Sequence, residues 1–124
     1  MSRHSSASSR GPSQRQLRAG ELIRHALAEM FQRDEVHEEG LRGLNVTFSE
    51  VKASPDLRNA TVFATALGGE GTGDAIDALN RASSKIRGVL GRKIDMKFTP
   101  QLVFRADRSF DEARRIDDLL AGRD

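Results

Sequence analysis

The chain has 124 residues, 37% hydrophobic and 31% charged, which suits one small domain with a polar surface. Its formal net charge is only +2, so the distribution of charge carries more information than the total. The absence of cysteine excludes disulfides, thiolate chemistry and cysteine zinc sites, and no apolar run approaches the ~20 residues needed to span a bilayer.

Residues 1–13, MSRHSSASSRGPS, are rich in Ser and Arg and free of acids. They read as a disordered basic N-terminal tail. The tail lacks both a signal-peptide core and the apolar face of an organellar transit peptide, so a cytoplasmic protein is expected. Ser13 is placed to cap a first helix. From there Leu22, Ile23, Ala26, Leu27, Met30 and Phe31 recur every three to four residues, an amphipathic pattern ending near Arg33. Arg15, Arg18 and Arg24 fall on its polar side, and His25 falls beside the core stripe.

The acidic DEVHEEG stretch, Asp34 to Gly40, reads as a solvated loop; His37 has no second histidine at ligand spacing, so no metal site is expected. Leu44, Val46 and Phe48 alternate with Asn45, Thr47 and Ser49, the period of a half-buried strand. Ser54-Pro55-Asp56 marks a turn, and Leu57 to Leu67 reads as a second strand closing an antiparallel hairpin. Gly68 to Gly73 follows a strand and precedes a helix, but it lacks the Gly-Lys-Ser/Thr ending of a phosphate loop and carries Glu70. A connector is expected, with Thr72 or Asp74 near the helix cap.

The segment Leu79 to Lys97 holds Arg81, Lys85, Arg87, Arg92, Lys93 and Lys97 against the single acid Asp95. At 100° per residue Arg81, Lys85 and Arg92 share an arc of roughly 40°, away from the Leu79, Ile86 and Leu90 face. Ser83-Ser84 in its middle lowers helix propensity, and the apolar pattern resumes at a shifted phase, as expected of a kink. One side packs on a core while the other presents cations, which suits a phosphate backbone. The same face also suits an acidic protein partner, so an interaction adaptor is the rival reading.

Phe98, Leu102 and Phe104 mark a third strand around Pro100. Phe31, Phe48, Phe98 and Phe104 are assigned to the core, which leaves few aromatics for base stacking. Asp107 and Ser109 are cap candidates for a last helix carrying Phe110, Ala113, Ile116, Leu119 and Leu120. The order is therefore αββααβα: an α+β fold with a three-stranded mixed sheet and helices packed on one face. No catalytic residues are expected. The histidines at 4, 25 and 37 are paired with no nucleophile, and the carboxylate pairs 111–112 and 117–118 are adjacent on a helix and diverge.

Four stretches in this order resemble the ribosome-binding factor A family: Arg15 to Arg24, Ser54 to Phe63, Arg81 to Leu90 and Pro100 to Ser109. The resemblance implies a type II KH-like domain over residues 14–120, between the tail at 1–13 and a short C-terminal tail at 121–124. It implies a non-catalytic factor, without cofactor, that binds the free 30S ribosomal subunit and assists late maturation of 16S rRNA. A bearing on growth in the cold, a monomeric state and ribosome-assembly GTPases as further partners come with it. The family's interhelical Ala-x-Gly kink matches Ala82, Ser83 and Ser84, so serine stands where the family has glycine. The RNA-binding residues expected on these grounds are Arg81, Ser83, Ser84, Lys85, Arg87, Arg92 and Lys93, with Arg15 and Arg18 extending the footprint. Five engaged phosphates would set a log-affinity slope against log salt of roughly −3.5 to −4.5.

Overall fold

A computed structural model describes residues 11–68, 70–108, 119–120 and 122. Its elements are α1 (Gln14–Gln32), a short 3-10 turn (Glu39–Leu41), β1 (Val46–Ala53), β2 (Asn59–Ala66), α2 (Thr72–Arg81), α3 (Ser83–Lys93) and β3 (Gln101–Ala106). The expected last helix lies outside the described residues except for Leu119 and Leu120, which are helical and exposed. The N-terminal tail up to residue 10 lies outside them too.

Ser13 starts α1 through a capping box. Its hydroxyl accepts from the Gln16 amide at 3.2 Å, and the Gln16 carboxamide accepts from the Ser13 amide at 2.8 Å. The same Gln16 side chain donates to the Ala53 carbonyl at 2.9 Å, tying the start of the helix to the end of β1. Along α1, Ile23, Leu27 and Met30 are fully buried, as the periodicity requires.

The sheet has the order β1-β2-β3, with β1 antiparallel to β2 and β2 parallel to β3. Several of its boundaries depart from expectation: β2 starts at Asn59, since Leu57 takes a φ of 60° in the turn, and β1 starts at Val46. The first strand runs on past Ser49 to Ala53, because a bulge between Phe48 and Glu50 inserts one residue and returns Val51 and Ala53 to the core face. A strict alternation ends at such a bulge, so the pattern in the sequence looked shorter than the strand. The third strand begins at Gln101, directly after the buried Pro100. Phe98 therefore escapes the in–out alternation of Leu102 and Phe104. It is 41% exposed, which corrects its assignment to the core.

The core lies between the helices and one face of the sheet. Leu79, Ile86, Leu90, Val62 and Phe104 are almost completely buried in it, each contributing about 1.5–3 kcal/mol of apolar burial. Phe48 packs edge-on to Phe31 at 5.2 Å and meets Phe104 at 6.4 Å. Asn80 joins α2 to the outer edge of β3, where its carboxamide accepts from the Phe104 amide at 2.8 Å and donates to the Phe104 carbonyl at 2.9 Å. An edge strand leaves such groups unpaired, and this one side chain satisfies a pair of them.

Candidate nucleic-acid interface

The break between α2 and α3 falls at Ala82, with φ −97° and ψ 10°. Its amide is shared between the carbonyls of Ala78 and Leu79, and its carbonyl accepts from Ile86. The backbone thus turns without entering the left-handed region; Asp34 and Leu57 are the non-glycine residues with positive φ among those described. Ser84 needs no glycine-like geometry, and the missing family glycine causes no strain here. No side chain caps the start of α3, so its first N–H groups, with the Ser83 and Ser84 hydroxyls beside them, form a positively polarised terminus.

Arg81, Ser84, Lys85, Gly88 and Arg92 are all exposed and recur at three- and four-residue intervals. They make one outward stripe. None of the three cations has a carboxylate partner among the described residues. A Cβ added at Gly88 would meet only the Arg92 guanidinium, at 4.0 Å, so the helix backbone is open to close approach there. Cations flanking small residues, from an uncapped helix start along one side of the helix to its last turn, form a surface on which a phosphodiester chain can lie.

The two sides of α3 are used differently from expectation. Lys93, with a side chain only 21% exposed, pairs with Glu29 at 2.8 Å and Glu35 at 3.1 Å. Its charge is spent on fastening α3 to the C-terminal end of α1. On the opposite flank Arg87 donates to the Thr99 carbonyl at 2.6 and 3.0 Å and to the Pro100 carbonyl at 3.1 Å, so it braces the segment that leads into β3. Of the six cations of the α3 helix face and its neighbours, the structure gathers Arg81, Lys85 and Arg92 into the stripe. Arg15 and Arg18 stand exposed near the start of α1, on another helix. Arg24 is paired with Glu21 at 2.9 Å, and His25, expected beside the core, is exposed with its ring 3.5 Å from the same carboxylate.

Hydrogen bonding from Lys93, then the charges of Arg33 and Lys93, holds the Glu29 carboxyl below its ordinary value of 4.5. The bonds to Glu29 and Glu35 hold the Lys93 ammonium above its ordinary 10.5. A lowered carboxyl stabilises the fold above its unfolded value and loses that contribution as pH falls through the folded one; for a raised ammonium the loss comes as pH rises. Lys93→Met is therefore expected to lower the urea midpoint by a constant amount between pH 4.5 and 10.5, with the gap closing outside that window. Paired denaturation curves across pH check this, and a gap that persists in acid would show that packing, not charge, joins the helices.

The glycine-rich connector is closed by the Ala66 amide donating to the Thr72 hydroxyl at 3.1 Å, and Gly71 takes the left-handed cap position before α2. Among the described residues no group of three or more His, Asp or Glu side chains converges as a metal site would require. Two residues beside Arg87, the exposed Phe98 and Arg58, were not legible in the sequence as part of this surface. Arg58, in the β1–β2 turn, brings its guanidinium to 4.9 Å from the Phe98 ring centroid, and Arg87 comes to 5.5 Å from the same centroid. The parallel pairing of β2 with β3 brings them together, and no local pattern encodes that pairing.

Comparison with known proteins agrees with this architecture. The family model described as ribosome-binding factor A matches residues 15–120. Ribosome-binding factor A of Phenylobacterium zucineum is 52% identical over 119 residues, covering 96% of this chain and 82% of that protein. The crystal structure of ribosome-binding factor A from Thermus thermophilus superposes with a TM-score of 0.60 at 28% identity, over 76% of this chain and 98% of the other. A homology model of the Thermus thermophilus protein, fitted into a cryo-EM map of a 30S complex, superposes with a TM-score of 0.53 at 31% identity over 70% of this chain and 89% of the other. With the family model matching residues 15–120 and a relative 52% identical over 119 residues, this chain belongs to the ribosome-binding factor A family.

Proposed function

We propose that this chain is a non-catalytic assembly factor that seats on the free 30S ribosomal subunit and assists late maturation of its 16S rRNA. The observation that carries the proposal is the stripe Arg81, Ser84, Lys85, Gly88 and Arg92: three cations without carboxylate partners among the described residues, with small residues between them, running from the uncapped start of α3 to its last turn. A relative fitted into a map of a 30S complex supports the choice of target. Three stripe cations correspond to a log-affinity slope against log salt of roughly −2 to −3. That is shallower than the five-phosphate estimate, because Lys93 and Arg87 are held by other groups. Contacts of this kind fix position and read little sequence, so the shape of the folded rRNA sets specificity. On the same proposal the protein acts as a cytoplasmic monomer, beside ribosome-assembly GTPases, and carries neither catalytic residues nor cofactor.

Hydroxyl-radical footprinting of purified 30S subunits with and without the protein tests this. Protection of a contiguous rRNA patch is expected. Protection confined to ribosomal proteins would instead favour the adaptor reading, in which the basic face meets an acidic protein. Ser84→Gly is expected to leave subunit affinity unchanged or tighter while lowering helix stability by a few tenths of a kcal/mol. A clear loss of affinity would assign the Ser84 hydroxyl a direct phosphate contact.

A further inference from the structure

We infer that Phe98, with Arg58 and Arg87 around it, is a stacking site for one unpaired nucleobase of the bound RNA. The inference rests on the rRNA-binding reading above and adds a base contact that the cationic stripe does not supply.

Three segments build the site. Phe98 lies in the connection between α3 and β3 and is 41% exposed, although the core takes Pro100 two residues later. Arg87 reaches it from α3, 5.5 Å from the ring centroid, with its guanidinium fixed by the Thr99 and Pro100 carbonyls. Arg58 reaches it from the β1–β2 turn, 4.9 Å from the centroid. The Arg58 carbonyl accepts from the Gln101 amide at 2.9 Å, so the turn and the segment carrying Phe98 are joined by backbone before any ligand arrives. A ring held in a fixed place needs little ordering when a partner binds.

The surroundings select the partner. An exposed aromatic ring flanked by two guanidinium groups presents a π surface inside positive potential. A flat, π-rich group attached to a phosphate matches both features, and a nucleotide is such a group. Arg58 is exposed, and its guanidinium makes no ion pair within 4.0 Å among the described residues, the Asp56 carboxylate acting on it only at longer range. An exposed cation–π contact strengthens association by about two- to fivefold, whereas stacking of a base on an aromatic ring is worth roughly five- to a hundredfold. A base therefore displaces Arg58 from the ring with a net gain, and the released guanidinium pairs with the phosphate of the same nucleotide. Arg87 remains in place, because its Nε and one Nη are held by the Thr99 and Pro100 carbonyls. On α3, Arg87 lies about 60° around the helix from Ser84. A chain whose backbone follows the stripe can thus turn one base over this flank onto Phe98.

The absence of Trp and Tyr makes the test direct, since Phe98→Trp would introduce the chain's single indole. Single-stranded oligoadenylate and 30S subunits are expected to quench that fluorescence, whereas inorganic polyphosphate and an RNA duplex of equal length leave it nearly unchanged. Phe98→Ala is expected to weaken 30S binding about tenfold, with the salt slope changed by no more than the one phosphate that Arg58 neutralises. Phe98→Leu is expected to recover little of the loss, and Phe98→Trp most of it. Equal thermal midpoints for the variants exclude a folding defect; if Phe98→Ala unfolds, the indole readout decides alone. Equal quenching by duplex and single strand, or wild-type affinity in a folded Phe98→Ala protein, overturns the stacking site while leaving the stripe intact. Failure of the wild-type protein to bind subunits at all removes both.

Discussion

Replacing Arg81 and Lys85 together by alanine is expected to weaken binding to purified 30S subunits by about a hundredfold at low salt and to flatten the salt slope by about two. Each cation that neutralises a phosphate releases condensed counterions, so its loss appears in the slope as well as in the affinity. Both residues are exposed and have no ion-pair partner among the described residues, so the fold should be indifferent to their removal, within roughly 0.5 kcal/mol. Lys93→Met is the matched control. It removes one charge from α3, the helix that also carries Lys85, but that charge is already neutralised by Glu29 and Glu35, so the slope should hold while stability falls. Filter binding or sedimentation across a salt series separates the two variants. An unchanged slope in the double variant would show that RNA, if bound, lies on another face.

Gly20→Ala is expected to cost on the order of 3 kcal/mol and to lower the thermal midpoint by roughly 10–20 °C. Considered as a helix residue alone, the change should stabilise by about 1 kcal/mol, since alanine is the better helix former. Packing reverses the sign. A Cβ on Gly20 would overlap the Val51 carbonyl oxygen, a backbone atom of β1. Val51 cannot retreat freely, because it sits opposite Val62 in the ladder next to the Phe48/Glu50 bulge. Gly20 is thus a point of close approach between α1 and the sheet, and its substitution pushes the helix off the layer that it covers. Calorimetry of the variant decides the matter. A midpoint at or above that of the parent would mean that α1 slides along β1 without loss.

Much of this molecule follows from local pattern. The apolar spacing of α1, the capping residues Ser13 and Gln16, the turn at Ser54 to Asp56 and the order of elements depend on residues a few positions apart. Helical and extended backbones convert such spacings directly into faces. The turn shows how locally this works. The Asp56 carboxylate accepts from the Ser54 hydroxyl at 2.7 Å and from the Arg58 amide at 3.1 Å, which holds its carboxyl below the usual range. The basic character of the second helix pair was equally plain, as was the alignment of Arg81, Lys85 and Arg92 on one side of it.

Contacts between distant parts of the chain decided the rest. Whether a lysine is free for a phosphate depends on what stands opposite it. Lys93 meets Glu35, 58 residues away, across the junction of two helices. Arg87 is committed to carbonyls that come within reach only because β3 begins where it does. Phe98 has the composition of a core residue, and only the late start of that strand turns it outward, between two arginines. The sequence alone determined where positive charge collects and which helix bears it. The tertiary structure decided which of those charges remain available, because ion pairing, burial and strand register are properties of neighbours in space.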